Sequence, residues 1–496
     1  MTTPGPSPTP TASNIDLSQN EFWALSLAER HAAFAELRRL DAPAFFANPE
    51  TPFTTENQGY YALVKHADVL EASRHADIFS SARGATSLVD LPPEFNEYFG
   101  SMINMDDPRH ARLRRIVSRA FTPKMIKKFE DDVRRAAAVT VDDLLAVGPG
   151  DFVSQVSARL PLKIICDMMG IGDEHFEMVL RNTNVILAGG DPEFLSEDMD
   201  TAIAQILSAG AELAGLVTNL AAEREGNPGN DLIAALATAN VDGEQLTPAE
   251  LASFFILLVV AGNETTRTAL SHALVLLTDH PEQRDLLLAD IDGRIAEAVE
   301  EIVRYVSPVI WMRRSVTRDA VANGHQFREG DKCALFYWSA NRDESVFDEP
   351  LRFDITRSPN PPCRLRRRGP ALLPGRAPGQ AGDLGHAGRA VAAGAGDPRG
   401  GRARPPAIEF HQRDQAPAVR LRLTAVQRPA VLTGHSPTTS HGFPSFRCRR
   451  CTVCAYPLRV KSRRGRNLAR SASWPRRRAG PDGEHAVGDR VLSDFT

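Results

Sequence analysis

Thr247-Pro248-Ala249-Glu250 opens the segment that most constrains the fold. It is a capping box with proline at the first helical position, so a helix must start here. The run Leu251 to Gly262 follows and is apolar on nearly every side, and Pro281 marks the far boundary. Thirty-odd residues at ~1.5 Å each give a rod of roughly 50 Å. A rod that long and oily has to lie at the centre of a large domain. The run Leu251 to Gly262 is itself too short to span a bilayer.

The rest of the first 361 residues is compatible with such a core. Glu21 to Leu40, Pro123 to Val147 and Pro281 to Tyr305 also read as helical stretches, some broken by turns. Tyr60 to Val64 and the region from Arg313 to Leu335 read as strands, which predicts a mainly α domain with a small β-sheet. Residues 1–14, rich in Pro, Ser and Thr, read as a disordered lead, neither signal peptide nor anchor. The six cysteines form no disulfide framework, which fits a reducing cytoplasm.

The net charge of −4 hides an abrupt change. From Pro362 onward there are 25 Arg and one Lys against 8 Asp/Glu, a net of +18. Before it stand 32 Lys/Arg against 54 Asp/Glu, a net of −22. The chain therefore divides into the lead (1–14), a domain over 15–361 and an Arg/Pro/Gly-rich tail (362–496), for which no stable fold is expected.

Within the central helix, Ala261-Gly262-Asn263-Glu264-Thr265-Thr266-Arg267 interrupts the apolar text. One reading is a glycine packing notch with solvated polar neighbours. The other is that the small pair leaves room for a flat cofactor and dioxygen. A Thr hydroxyl there can bond a backbone carbonyl and bend the helix, or pass protons with the acid as relay.

Downstream, Glu301-Ile302-Val303-Arg304 means little alone, because i,i+3 ion pairs are mostly surface features. It gains weight from Ala340-Asn341-Arg342-Asp343 and from Phe347-Asp348-Glu349-Pro350-Leu351-Arg352-Phe353-Asp354. Together with Asp107-Pro108-Arg109-His110-Ala111-Arg112-Leu113-Arg114, these landmarks resemble a bacterial cytochrome P-450. The resemblance implies the mainly helical P-450 fold and haem as cofactor. It implies His110, Arg114 and Arg314 as contacts of the haem propionates, where Arg forks suit carboxylates. Ala261 and Gly262 would lie against the haem, and Thr265 with Glu264 would assist proton delivery to oxygen. Glu301 and Arg304 would form a buried pair completed by Arg352. Stretches such as PLKIICDMMGI and SFFILLVVAGNETTR resemble actinobacterial members that oxidise methyl-branched lipids and sterol side chains. A hydrophobic substrate is thereby implied, with electrons from a ferredoxin and its reductase. The cations Arg109, Arg112, Arg115, Lys124, Lys127 and Lys128 could receive an acidic ferredoxin or form an ordinary solvated helix face.

After Asn360-Pro361 the family's glycine-rich cysteine loop is expected, with the thiolate that binds iron. It is absent: Pro362-Cys363-Arg364-Leu365-Arg366 follows, so the metal-ligand cysteine is missing. Codon arithmetic supplies a cause. Read one base later, codons permitted for Pro362 to Gln380 encode HVGFGGGGPHFCLGAHLA, which contains the whole loop. The same shift turns Ala407 to Pro417 into QSNFINGIKHL, and Leu423-Thr424 then contains a stop. A one-base insertion near Pro362 accounts for all three.

Two features of the tail carry less. Cys448, Cys451 and Cys454 have metal-like spacing but lack a fourth ligand. The arginine runs have no aromatic interleaving that would indicate designed nucleic-acid binding. The expectation is therefore a P-450 monooxygenase inactive as written. The alternatives are a sequence error hiding an active enzyme, or a haem-free lipid-binding remnant.

Overall fold

Proline and capping residues set the boundaries of the helices. The computed structural model describes residues 15–48, 59–188, 191, 193–225 and 229–363, with the backbone of 408–409 and 422–423. The central helix runs Pro248–Asp279. Thr247 Oγ1 accepts from Glu250 N at 3.2 Å, and a Glu250 oxygen accepts from Thr247 N at 2.9 Å. Phe254, Phe255, Ile256 and Val259 along it are buried. It packs against the helices Met199–Arg224, Pro93–Gly100 and Leu160–Met169, so it is central as its composition requires. By length and composition Met199–Arg224 and Pro248–Asp279 could each cross a bilayer. The same test is passed by a core helix, which the second of them is.

Pro123–Val147 forms one helix, capped by Thr122. The stretch Glu21 to Leu40 splits at Ser26, whose own capping box with Glu29 starts the helix Leu27–Arg39. Pro281 to Tyr305 likewise splits, into Pro281–Ala289 and Ile291–Val306, because Asp290 leaves helical geometry and caps the second piece through Gly293 N.

The strands are β1 (Ala44–Ala47), β2 (Gly59–Leu63), β3 (Phe79–Ser80), β4 (Met312–Val316), β5 (Ala320–Ala322), β6 (His325–Phe327) and β7 (Lys332–Leu335). Five of them form one sheet in the order β1-β2-β7-β4-β3, with only β2 and β7 parallel. β5 and β6 form a separate hairpin. Phe34, Phe336 and Trp338 join the sheet to the N-terminal helix, and Leu276, Ile302 and Phe353 form a further cluster.

By contact density the chain divides at Pro457, and the described residues all belong to the first unit. The lead 1–14 and the expected unstructured character of the tail lie outside the described residues, apart from a two-residue strand pair, Ile408–Glu409 with Arg422–Leu423.

Candidate functional site

The central helix changes character at Ala261. An ideal Cβ on Gly262 would lie 3.1 Å from Ile165 Cδ1, so this glycine admits close approach of the helix Leu160–Met169. The packing-notch reading therefore has a definite partner. Thr265 Oγ1 donates to the Ala261 carbonyl and Thr266 Oγ1 to that of Gly262, each at 2.9 Å. Such back-bonding occupies both hydroxyls and favours a local bend. Glu264 is ion-paired to Arg267 at 2.6 Å, and Arg267 Nη1 donates to Asn184 Oδ1 at 3.1 Å.

His110 and Arg114 are one turn apart on the helix Arg109–Ala120 and share a face. His110 is buried, with Nδ1 3.3 Å from Asp107 Oδ1. Its Nε2 is buried and has no hydrogen-bond partner among the described residues. Burial pushes the imidazole pKa down, against the opposing pull of Asp107. Burial also lowers that of Arg114. Arg314 is buried on β4, where its Nη1 donates to the Arg313 carbonyl at 2.7 Å. It has no carboxylate partner among the described residues, and no hydrogen bond there joins it to His110 or Arg114. A buried guanidinium and a buried, unpartnered imidazole nitrogen suit an anionic guest, since burying charge alone is costly.

Glu301 and Arg304 are both fully buried and joined at 2.7 and 2.8 Å. The expected third member is corrected. The Arg352 side chain is exposed and pairs with Glu349, contributing to the site only its backbone carbonyl, which accepts from Arg304 and Arg357. The side chain that reaches Glu301 is Arg357, at 3.3 Å. Phe353 and Ile355 turn into the core, and this carries Arg357 inward while Arg352 stays on the outer side of the turn.

Asn341 ties this region to the last described residue. Its carbonyl accepts from Arg304, its Nδ2 donates to Ser307 Oγ and to the Cys363 carbonyl, and its Oδ1 accepts from Cys363 N. Cys363 is buried beside Tyr337, whose phenol is pushed up by burial, opposed by Arg314. The basic face is largely neutralised from within. Arg109 pairs with Glu97, Arg112 with Glu244 and Glu250, and Arg115 with Asp242 and Glu244. Sequence reasoning missed those acids because they come from distant segments.

The family model described as Cytochrome P450 matches residues 216–360. A methyl-branched lipid omega-hydroxylase of Mycobacterium tuberculosis is 48% identical over 359 residues, covering 72% of this chain and 82% of that protein. The chain belongs to the cytochrome P450 family. A steroid C26-monooxygenase of Mycolicibacterium smegmatis is 37% identical over 331 residues, covering 66% of this chain and 75% of its own length. Among solved structures, a Mycobacterium marinum cytochrome P450 in complex with pseudoionone aligns with a TM-score of 0.68 at 37% identity, covering 78% of this chain and 92% of that one. P450 proteins carry haem. On the propionate side the residues present suit it, through the unpartnered His110 Nε2 and the buried Arg314. The segment that should bring the axial thiolate lies beyond Cys363, outside the described residues.

Proposed function

We propose that this chain is built as a P450 monooxygenase that inserts one oxygen atom of O2 into a C–H bond of a hydrophobic lipid or sterol-tail substrate, and that it is inactive as written. One observation carries the second half. The P450 match ends at Asn360, two residues before the charge balance reverses and the shifted frame spells the cysteine loop. The substrate class is supported by the methyl-branched lipid and steroid hydroxylases among the relatives.

In this reading His110, Arg114 and Arg314 hold the propionates. A carboxylate at His110 Nε2 would offset the burial that now keeps the imidazole neutral. Haem, when bound through a thiolate, supplies the oxygen chemistry; the protein orients and shields it. Ala261 and Gly262 keep the helix surface flat beside it. Thr265 and Glu264 are the hydroxyl and acid that move protons. Glu301, Arg304 and Arg357 fix the segment leading to the ligand loop. A ferredoxin with its reductase supplies electrons, although the basic face offers it less free charge than its composition suggests. The free thiols Cys166, Cys333 and Cys363 fit a cytoplasmic setting.

The test uses the chain with one base removed near codon 362, purified with haem, ferredoxin and reductase. Methyl-branched fatty acids and sterols should acquire a hydroxyl at the chain terminus. A haem-replete corrected chain that turns over neither class would overturn the substrate assignment.

A further inference from the structure

The central helix carries a second polar group that the proposed chemistry leaves unused. Asn263 is fully buried, and neither its Oδ1 nor its Nδ2 has a hydrogen-bond partner among the described residues. Thr268, also buried, is unpartnered through Oγ1. Its neighbours behave differently. Thr265, Thr266, Ser271 and Thr278 each donate to the carbonyl four residues back. Arg267 Nε and Glu264 Oε2 likewise lack hydrogen-bond partners, although the two side chains are ion-paired through another guanidinium nitrogen.

These four residues are neighbours by helix geometry. At about 100° per residue, Asn263, Arg267, Glu264 and Thr268 fall within an arc of about 140°. Arg267 places that arc toward Asn184 of the helix Asp173–Leu187. A buried amide left unpaired is costly, and native interiors satisfy such groups with protein or with ordered water. The chemistry of the arc selects the occupant. Asn263 and Thr268 each offer a donor and an acceptor, and the charges of Glu264 and Arg267 cancel. A small neutral molecule that both donates and accepts fits; an ion of either sign does not.

We propose that the arc formed by Asn263, Glu264, Arg267 and Thr268 is an internal water-binding site, with water shared between the Asn263 amide and the Thr268 hydroxyl. Buried waters of this kind make about three hydrogen bonds to groups otherwise unsatisfied. This part stands on the chain's own geometry. A consequence, that the water hydrates the Glu264 carboxylate used in proton movement, rests on the proposed function.

The experiment needs neither haem nor turnover, so its failure is separable from that of the monooxygenase reading. Asn263→Leu, Thr268→Val and the double variant are compared with the full chain by thermal unfolding. If water bridges the two groups, each single change lowers the melting temperature by about 2–4 °C. The double change then costs less than the sum of the two, because either one alone already releases the shared water. Melting temperatures that stay level or rise would mean that dry, unsatisfied groups had been removed. Strictly additive losses would mean that no water is shared. Either result overturns the proposal. Should a variant fail to fold, a high-resolution crystal structure of the unaltered chain decides. Ordered water within hydrogen-bond distance of Asn263 and Thr268 supports the site; direct protein bonds to both, or dry contact, refutes it.

Discussion

Glu301 has no access to water, yet it stays ionised in company. Arg304 donates to both its oxygens, Asp354 N and Arg357 Nε donate to one, and Asn360 Nδ2 to the other. Removing one donor leaves a buried charge undersatisfied, which costs roughly 1–3 kcal/mol. Arg357→Ala should therefore lower the urea midpoint clearly, while Arg352→Ala should leave it within error, since that exposed side chain pairs only with Glu349. The reverse order would contradict the assignment. The sequence offers an arginine on either side of Phe353-Asp354. Which one points inward depends on how Phe353 and Ile355 are buried, and that is a tertiary fact. A second residue gives a pH prediction. Burial, then Arg342, Arg38 and Arg30, push the His31 pKa down to about 3. The folded state thus binds fewer protons than the unfolded one between about pH 6.5 and about pH 3. Its stabilising contribution is complete above about 6.5 and is lost as the pH falls through that window. His31→Gln should flatten the acid limb of a stability–pH profile, and an unchanged limb would show that His31 is not the titrating group.

At the scale of elements, legibility followed the local chemistry. Helix starts at Pro123 and Pro248 could be read because a capping threonine precedes each proline. Thr247→Ala removes one half of a reciprocal cap and should cost about 1 kcal/mol, measured as a lower unfolding midpoint. Thr247→Ser should restore it, because the hydroxyl rather than the methyl accepts from Glu250 N. The break at Asp290 was harder to see, since nothing but an aspartate marks it. The hairpin of β5 and β6 had a signal that was passed over. Asn323 and Gly324 both take positive φ, 46° and 80°, the pattern that suits a tight two-residue turn. The strand β3 spans two residues and has no periodicity to read. At the candidate site, the polar residues of the central helix stood out against an apolar background. The partner acids of the basic face did not, because Glu97 and Glu244 approach Arg109 and Arg115 only after folding.

For the molecule as a whole, the decisive quantity is where the family pattern stops. Helices, sheet and the Glu301 cluster are all assembled before Cys363, which is itself held at both backbone atoms by Asn341. The framework that should present a ligand loop is thus in place up to the point where the text changes. Cys363 is a poor substitute for the missing thiolate. It is buried against Tyr337, it is followed by arginines rather than glycines, and it precedes the position that the shifted frame gives the cysteine. The expressed 496-residue chain should accordingly give no reduced, carbon-monoxide-bound spectrum of thiolate-ligated haem. Haem taken up through His110, Arg114 and Arg314 should be weakly held and ligated by histidine or water, without the electron push of sulfur. Removing one base near codon 362 should restore the glycine-rich loop and the thiolate spectrum together. Changing the restored cysteine to serine should abolish the spectrum again, while Cys363→Ser in the unaltered chain should change nothing. If the unaltered chain already shows thiolate ligation, and Cys363→Ser removes it, the ligand is Cys363 and the reading of a shifted frame is wrong.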